Sequence, residues 1–131
     1  MKTKVANLSG PALEWIVEGI ELDKQVAEGK HVKQWIIDRH KTDKVASTMY
    51  TNAWAWGGPL IEREDISFRK YHNPKSEAHG TYYAKVCRDS GSMIRWSKEY
   101  DQSGLTPLIA AMRCYVVSQL GAEVEVPEEL S

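Results

Sequence analysis

The feature that most constrains the fold is the segment from Thr106 to Gly121, where helix start, apolar face and helix stop agree. Thr106 can cap the first turn, Pro107 suits the first helical position because it has no amide proton to lose, and Gly121 permits a left-handed stop. The apolar residues on one face at helical spacing are Leu108, Ile109, Met112, Tyr115, Val116 and Leu120. We therefore predict a core helix over 107–120.

The composition is that of an ordinary globular protein, and we expect a single domain over residues 1–131. Of the 131 residues, 42% are hydrophobic and 27% are charged, and the net charge is -1. This balance argues against a nucleic-acid partner, which normally requires a basic face. A strip of basic residues between Lys24 and Lys44 could still share one surface, or be a solvated face balanced by its acidic neighbours.

The first twenty residues predict neither a signal peptide nor a membrane-spanning segment. Polar residues at Asn7, Ser9 and Glu14 interrupt the apolar stretch. We therefore expect a cytoplasmic protein that does not interact with membranes. Cys87 and Cys114 lie far apart, without paired Cys or His at ligand spacing, so we predict no disulfide framework, no metal site and no cofactor.

The pattern along the chain predicts an α+β fold, in which a small, mainly antiparallel sheet packs against the long C-terminal helix and a shorter N-terminal helix. The N-terminal helix starts at Ser9 to Pro11 and extends to Ile20, before a charged connection over 23–30. Strands are predicted at 2–8, 31–38, 60–64, 82–87 and 93–96, loops at 41–52, 70–80 and 88–92, and an extended tail at 123–131. A short helix over 31–38 is the open alternative.

Two tryptophans precede a double glycine and a proline, over residues 54–59. Glycine permits backbone angles that other residues avoid, and proline favours an extended exit, so we predict a tight turn that leads into a strand over 60–64. On a strand, Glu62 and Glu64 would point to the same face. Such paired carboxylates can perform acid-base chemistry or hold a metal, or they can simply be solvated or ion-paired.

Other candidate ligand-binding residues are aromatic or basic. Trp54, Trp56 and Trp96 could stack on a planar ligand, although core packing explains them equally well. Arg113 lies among apolar residues of the predicted C-terminal helix, so it should lie at the helix border or be paired. It could meet Glu62, Glu64 or an anionic ligand, or it could lay its stem along the edge of the core.

Three stretches carry a family resemblance: WAWGGPLIERE at 54–64, LTPLIAAMRCYV at 105–116 and GAEVEVPEEL at 121–130. Together with the first fifteen residues, they resemble the NinX-like family of small phage and prophage proteins. The resemblance implies a phage-encoded accessory protein that acts in the bacterial cytoplasm during infection. The family has no assigned activity, so it implies no catalytic residue. The segments 23–49 and 65–93 depart from the family pattern.

Three functions are open, in this order. The first is a non-enzymatic binder of a host macromolecule, because exposed Trp and Tyr are typical of interfaces. The second is a pocket that sequesters or senses a small anionic, nucleotide-like ligand, with Arg113 or Arg63 neutralising its charge. The third is a metal-assisted hydrolase using Glu62 and Glu64. A host protein or a small anion is thus the expected partner, and the aromatic surplus makes a homodimer worth testing.

Overall fold

The computed structural model describes residues 2–72, 74–75, 80–90, 93–96 and 102–130, with side chains for all of these except 87–90 and 93–96. The helices are α1 (Gly10–Ala27), α2 (Gln34–Asp38), α3 (Trp54–Arg63) and α4 (Pro107–Leu120). The strands are β1 (Lys2–Lys4), β2 (Ile66–Lys70), β3 (Tyr82–Ser90), β4 (Met93–Trp96), β5 (Gln102–Gly104) and β6 (Glu123–Glu125). The predicted α+β class is confirmed.

Helix α4 has the predicted bounds and caps. The Thr106 side chain accepts a hydrogen bond from the Ile109 amide at 3.1 Å, and Gly121 ends the helix with a φ of 90°. Helix α4 contacts α1, α3 and the three strands β2, β3 and β5. Because it lies between these layers, Ala110, Ala111 and Cys114 are buried in addition to the predicted face, whereas Leu120 is exposed.

Helix α1 is longer than predicted. It starts as expected at Gly10, with Pro11 in its first turn, but it continues through the charged residues to Ala27. The prediction of a connection from Asp23 was wrong because polar residues such as Lys24 and Gln25 are good helix formers and do not end a helix. The break comes at Gly29, where φ is 74°.

The main sheet is antiparallel and is built around β3. Strand β2 pairs with its first half through Ile66 opposite Val86 and Lys70 opposite Tyr82, while β5 also pairs with that half. Strand β4 pairs with the second half, which confirms the predicted hairpin. Residues 88–90 belong to β3, not to the loop that was predicted there.

A two-stranded antiparallel ribbon joins the chain ends. Strand β1 pairs with β6 in the register Lys2 opposite Glu125 and Lys4 opposite Glu123. The predicted opening strand is shorter than expected because a 3₁₀ turn begins at Val5, which is buried. In the tail, Val124 and Val126 are buried, as their alternation with glutamates indicated.

Two predicted strands are helices instead. Residues 34–38 form α2, the open alternative, and a π turn over Arg39–Asp43 follows it. Residues 54–63 form α3, with Pro59 inside it, where a turn and a strand were predicted. Gly58 before the proline eases this helical path because it has no Cβ to contact the proline ring.

Candidate functional site

Three buried glutamates lie on one face of α1. Glu14, Glu18 and Glu21 follow the spacing i, i+4, i+7, which places side chains along one stripe of a helix. All three are buried, and Glu18 is only 1% exposed. Buried carboxylates need hydrogen-bond donors for their oxygens, so their partners define the chemistry of this face.

The Glu14 carboxylate is saturated by one short segment. It accepts hydrogen bonds from the Tyr50 amide, from the Thr51 amide at 3.0 Å and from the Thr51 hydroxyl at 2.6 Å. These contacts hold the irregular segment before α3 against α1. Glu14 therefore has a structural role.

The Glu21 carboxylate is matched by a cation and a phenol. Arg63 donates to both of its oxygens, at 2.8 and 2.9 Å, and the Tyr115 hydroxyl donates at 2.6 Å. Burial raises the pKa of Glu21, but the hydrogen bonds from Arg63 and Tyr115 and the charge of Arg63 outweigh it and leave this pKa below its ordinary value. Burial and the bond to Glu21 raise the pKa of Tyr115.

The Glu18 carboxylate is only half satisfied. One oxygen, Oε2, accepts a hydrogen bond from the Ser47 amide at 2.7 Å, whereas Oε1 has no partner. The hydroxyl oxygens of Ser47 and Thr48 are also buried without a partner. Within the part of the chain that the structure describes, these three atoms are the buried side-chain oxygens and nitrogens that lack a hydrogen bond. Each such group normally finds a partner, so this local cluster points to a ligand or to water.

Glu18, Ser47 and Thr48 all line one cavity of about 410 Å³. It lies between α1, α2, α3 and the segment before α3. Its lining residues are Glu18, Glu21, Leu22, Gln25, Val32, Trp35, Ile36, Ser47, Thr48, Tyr50 and Trp56. The set contains two carboxylates, and no Lys, Arg or His is among these described residues.

Aromatic rings line the same cavity. Trp35 is 52% exposed and Trp56 is 44% exposed, so both indoles reach solvent. The Tyr50 and Trp56 rings pack edge to face, with their centroids 5.6 Å apart, and together form one wall of the cavity. Burial, followed by the charges of Glu21, Glu18 and Glu14, raises the pKa of Tyr50 to about 12. Tyr50 is therefore a neutral phenol at physiological pH.

Of the predicted tryptophans, the structure places one in this cavity. Trp56 lines it, whereas Trp54 is 53% exposed and packs on Phe68 with ring centroids 5.6 Å apart. The backbone of Trp96 lies in β4 opposite Cys87, and its side chain lies outside the described residues. His79 and the loop residues 91–92 also lie outside the described residues.

Arg113 does not meet Glu62 or Glu64. Its Nε donates to the Leu8 carbonyl and its Nη1 to the Ser103 carbonyl, both at 2.7 Å. Partial burial lowers the pKa of this guanidinium. Arg113 thus has the alternative role, a border residue that ties α4 to the chain before α1 and to β5.

The predicted carboxylate pair also has a different geometry. Glu62 lies in the last turn of α3 and Glu64 just after it, so they do not share the face of a strand. Glu64 accepts a hydrogen bond from Arg63 at 2.8 Å and lies 4.0 Å from Lys24. In the described ranges, no group of three or more His, Cys, Asp or Glu side chains is arranged to hold a metal ion.

A second cavity, of about 320 Å³, lies beside a neighbouring face of α1 and shares Leu22 with the first. Three basic residues line it, His40, Lys41 and Lys44, together with the acidic Asp23. The His40 ring stacks on the Trp15 ring, with centroids 4.4 Å apart, and the Trp15 indole donates to the His40 carbonyl at 2.9 Å. These contacts fix a flat aromatic wall beside the two lysines.

Sequence reasoning missed Glu18 and Trp35. The spacing of Glu14, Glu18 and Glu21 was a usable signal, because three carboxylates on one helical stripe, beside a second stripe of apolar residues, require partners. Trp35 was missed because a strand was predicted over 31–38. On a short amphipathic helix, it would have been recognised as an exposed aromatic residue.

The comparisons with known proteins identify a family. The sequence model described as Bacteriophage P22, NinX matches residues 4–119, which is most of the chain. No curated protein matches the chain. Among the described residues, none of the helices combines the length and the apolar character that crossing a membrane requires.

Proposed function

We propose that this chain, which belongs to the bacteriophage P22 NinX family, is a phage accessory protein that binds a host protein without catalysing a reaction. Its binding surface is the cavity between α1, α2 and α3, with the two indoles of Trp35 and Trp56. The observation that carries the proposal is that one cavity is lined both by exposed tryptophans and by residues with an unpartnered buried oxygen.

Exposed tryptophan supports a protein partner. Burying an indole contributes a large apolar area, and Trp is enriched among the few interface residues that dominate binding energy. Trp35 and Trp56 belong to different helices but line one cavity, so a single inserted side chain could contact both. The surrounding lining is mainly apolar, with Leu22, Val32 and Ile36, as is typical of the centre of an interface.

The use of the nearby carboxylates supports binding over catalysis. Glu14 accepts three hydrogen bonds, and Glu21 accepts three from Arg63 and Tyr115. A general base must have a free lone pair that reaches the substrate. Glu18 retains a free oxygen, but no described side chain pairs with that oxygen to form a nucleophile and base.

The test uses two matched variants on one helix. Trp56→Ala removes an indole that lines the cavity, whereas Trp54→Ala removes one of similar exposure that lies outside it. Each tagged protein is crosslinked in infected cells, purified, and its associated proteins are quantified by mass spectrometry. The captured host protein is then purified and its affinity for each variant is measured.

We expect Trp35→Ala and Trp56→Ala each to weaken the affinity by at least about tenfold, as for a typical interface hot spot, and Trp54→Ala to leave it unchanged. A host protein bound equally by all variants would contradict the proposed surface. Recovery of no stoichiometric host protein would contradict the function.

A second candidate function is the binding of a small anion in the cavity beside Trp15. The observation in its favour is the pairing of a flat Trp15 and His40 stack with Lys41 and Lys44. Nucleotides added in a thermal-shift assay should raise the melting temperature, and the double change Lys41→Gln and Lys44→Gln should abolish the increase. An unchanged melting temperature with every nucleotide would exclude this candidate.

A further inference from the structure

We infer that the cavity between α1, α2 and α3 receives an arginine side chain of the host protein. This inference rests on the proposed function and specifies the chemistry of the partner. The Glu18 carboxylate, which is 1% exposed, has lost its hydration, and Ser47 supplies a donor to only one of its oxygens. The other oxygen requires a donor from outside the described chain.

The charge of the cavity selects a cation. Two carboxylates line it, and the described lining residues include no basic side chain. Arg63 compensates Glu21 through its paired hydrogen bonds, but no ion pair to Glu18 occurs in the described part of the chain. An anionic ligand would be repelled here, whereas a cation would supply the missing charge and the missing donor together.

The remaining polar atoms select guanidinium over ammonium. Glu18, Ser47 and Thr48, which each have a buried oxygen without a partner, all line the cavity, and each of these oxygens can accept a hydrogen bond. A guanidinium carries five N–H donors in a plane, so it can bond several acceptors while its face stacks on an aromatic ring. Ammonium is a compact, strongly hydrated point charge with no flat face to stack.

The aromatic residues agree with this choice. Trp35 and Trp56 present indoles to the cavity, and a cation on the face of Trp gains an electrostatic attraction. The volume, about 410 Å³, accommodates one long side chain. Arginine is also enriched at the centres of protein interfaces, which connects this chemistry to a protein partner.

The test is a titration of the whole protein with N-acetyl-arginine amide, followed by NMR of the tryptophan indole N–H groups. The indole signals are assigned with single Trp→Phe variants. We expect the Trp35 and Trp56 signals to shift saturably, at millimolar concentration, while the Trp54 signal stays in place. The Trp15 indole, hydrogen-bonded to the His40 carbonyl, reports whether each variant is folded.

The neutral analogue N-acetyl-citrulline amide is the matched control, because it has nearly the same shape without the charge. Loss of the charge-assisted hydrogen bond should weaken binding by about tenfold or more. Glu18→Gln should weaken binding to a similar extent because it removes the negative charge. It should still fold, because its amide oxygen can accept the hydrogen bond from the Ser47 amide. Thr48→Val, which removes a hydroxyl that has no partner, provides a second variant should Glu18→Gln not fold.

Each contrary result has a distinct meaning. Equal binding of the arginine and citrulline amides, or an unchanged affinity in Glu18→Gln and Thr48→Val, would leave only hydration of the cavity and overturn the inference. Stronger binding of the lysine analogue would overturn the choice of guanidinium. A host protein whose binding needs Trp56 but neither Glu18 nor an arginine would overturn the inference while the proposed function stands. Arginine amide bound without any Trp56-dependent host protein would overturn both.

Discussion

At the scale of single residues, the three glutamates of α1 illustrate how environment separates identical side chains. Glu14 and Glu21 are surrounded by donors, whereas Glu18 keeps one oxygen without a partner. Glu14 and Glu21 therefore have structural roles, whereas Glu18, on the same helical stripe, is a candidate binding residue. A carboxylate is assigned a role by its donors, not by its position in the sequence.

The first prediction concerns Glu21→Gln at neutral pH. The change removes the charge that Arg63 compensates, and it should lower the free energy of unfolding by about 1–3 kcal/mol. The magnitude is moderate because the Arg63 side chain is 46% exposed and solvent screens the pair. Chemical denaturation of both proteins at pH 7 measures the difference.

The stabilising effect of Glu21 should depend on pH. The pKa of Glu21 in the folded protein lies below its ordinary value of 4.5, so its contribution to stability is present above pH 4.5. The contribution is lost as the pH falls through the lower, folded pKa. The stability difference between wild type and Glu21→Gln should therefore shrink below pH 4.5. A difference that stayed constant down to strongly acidic pH would contradict the ion pair.

At the scale of elements, the sequence predicted correctly those helices and strands whose ends are determined by nearby residues. Helix α4 was found at its observed bounds because Thr106, Pro107 and Gly121 act within one turn of each helix end. The hairpin of β3 and β4 was found because alternating segments flank a turn sequence. Such elements require no knowledge of distant contacts.

Helix α3 and the binding cavity depend on contacts that sequence does not display. Gly58 eases the helical path through Pro59 because it has no Cβ, and Gly57 lies so close to the Tyr50 carbonyl that a Cβ would not fit there. Glu18 meets an amide 29 residues later in the chain. Trp56 was a candidate binding residue from the sequence, and the glutamate spacing indicated that Glu18 needs a partner. Neither that partner nor the cavity around it could be predicted from the sequence.

The double glycine of α3 provides a matched pair of variants. A Cβ on Gly57 would lie 2.5 Å from the Tyr50 carbonyl oxygen and 2.6 Å from Leu108 Cδ2, whereas a Cβ on Gly58 would meet nothing within 4 Å outside its chain neighbours. Gly57→Ala should lower the free energy of unfolding by about 1–3 kcal/mol through overpacking. Gly58→Ala gains helix propensity but meets the Pro59 ring, so its net change should stay within about 1 kcal/mol.

Thermal or chemical denaturation of the two variants checks this prediction. Equal destabilisation by both alanines would mean that backbone freedom, and not close packing on Tyr50, explains the two glycines. Because Gly57 positions α3 beside Tyr50, its substitution should also disturb the cavity wall formed by Tyr50 and Trp56.

At the scale of the whole molecule, the described layers separate packing from binding. Helix α4 is buried between α1 and the main sheet, and the β1 and β6 ribbon ties the chain ends together. The cavity forms where α2 and the segment before α3 cover Glu18 and Glu21 of α1. Part of that cover comes from residues 32–36. All the residues that line the cavity fall within 4–119, the range that the family model matches.

The most direct test of this account is site-specific photocrosslinking in infected cells. The photoreactive amino acid p-benzoyl-phenylalanine replaces Gln25, which lines the cavity, in one protein and Trp54 in another, and the crosslinked products are identified by mass spectrometry. We expect a crosslink to one host protein from position 25, at an arginine-bearing surface of that protein, and none from position 54. The same products from both positions, or none from position 25, would contradict a host-binding cavity between α1, α2 and α3.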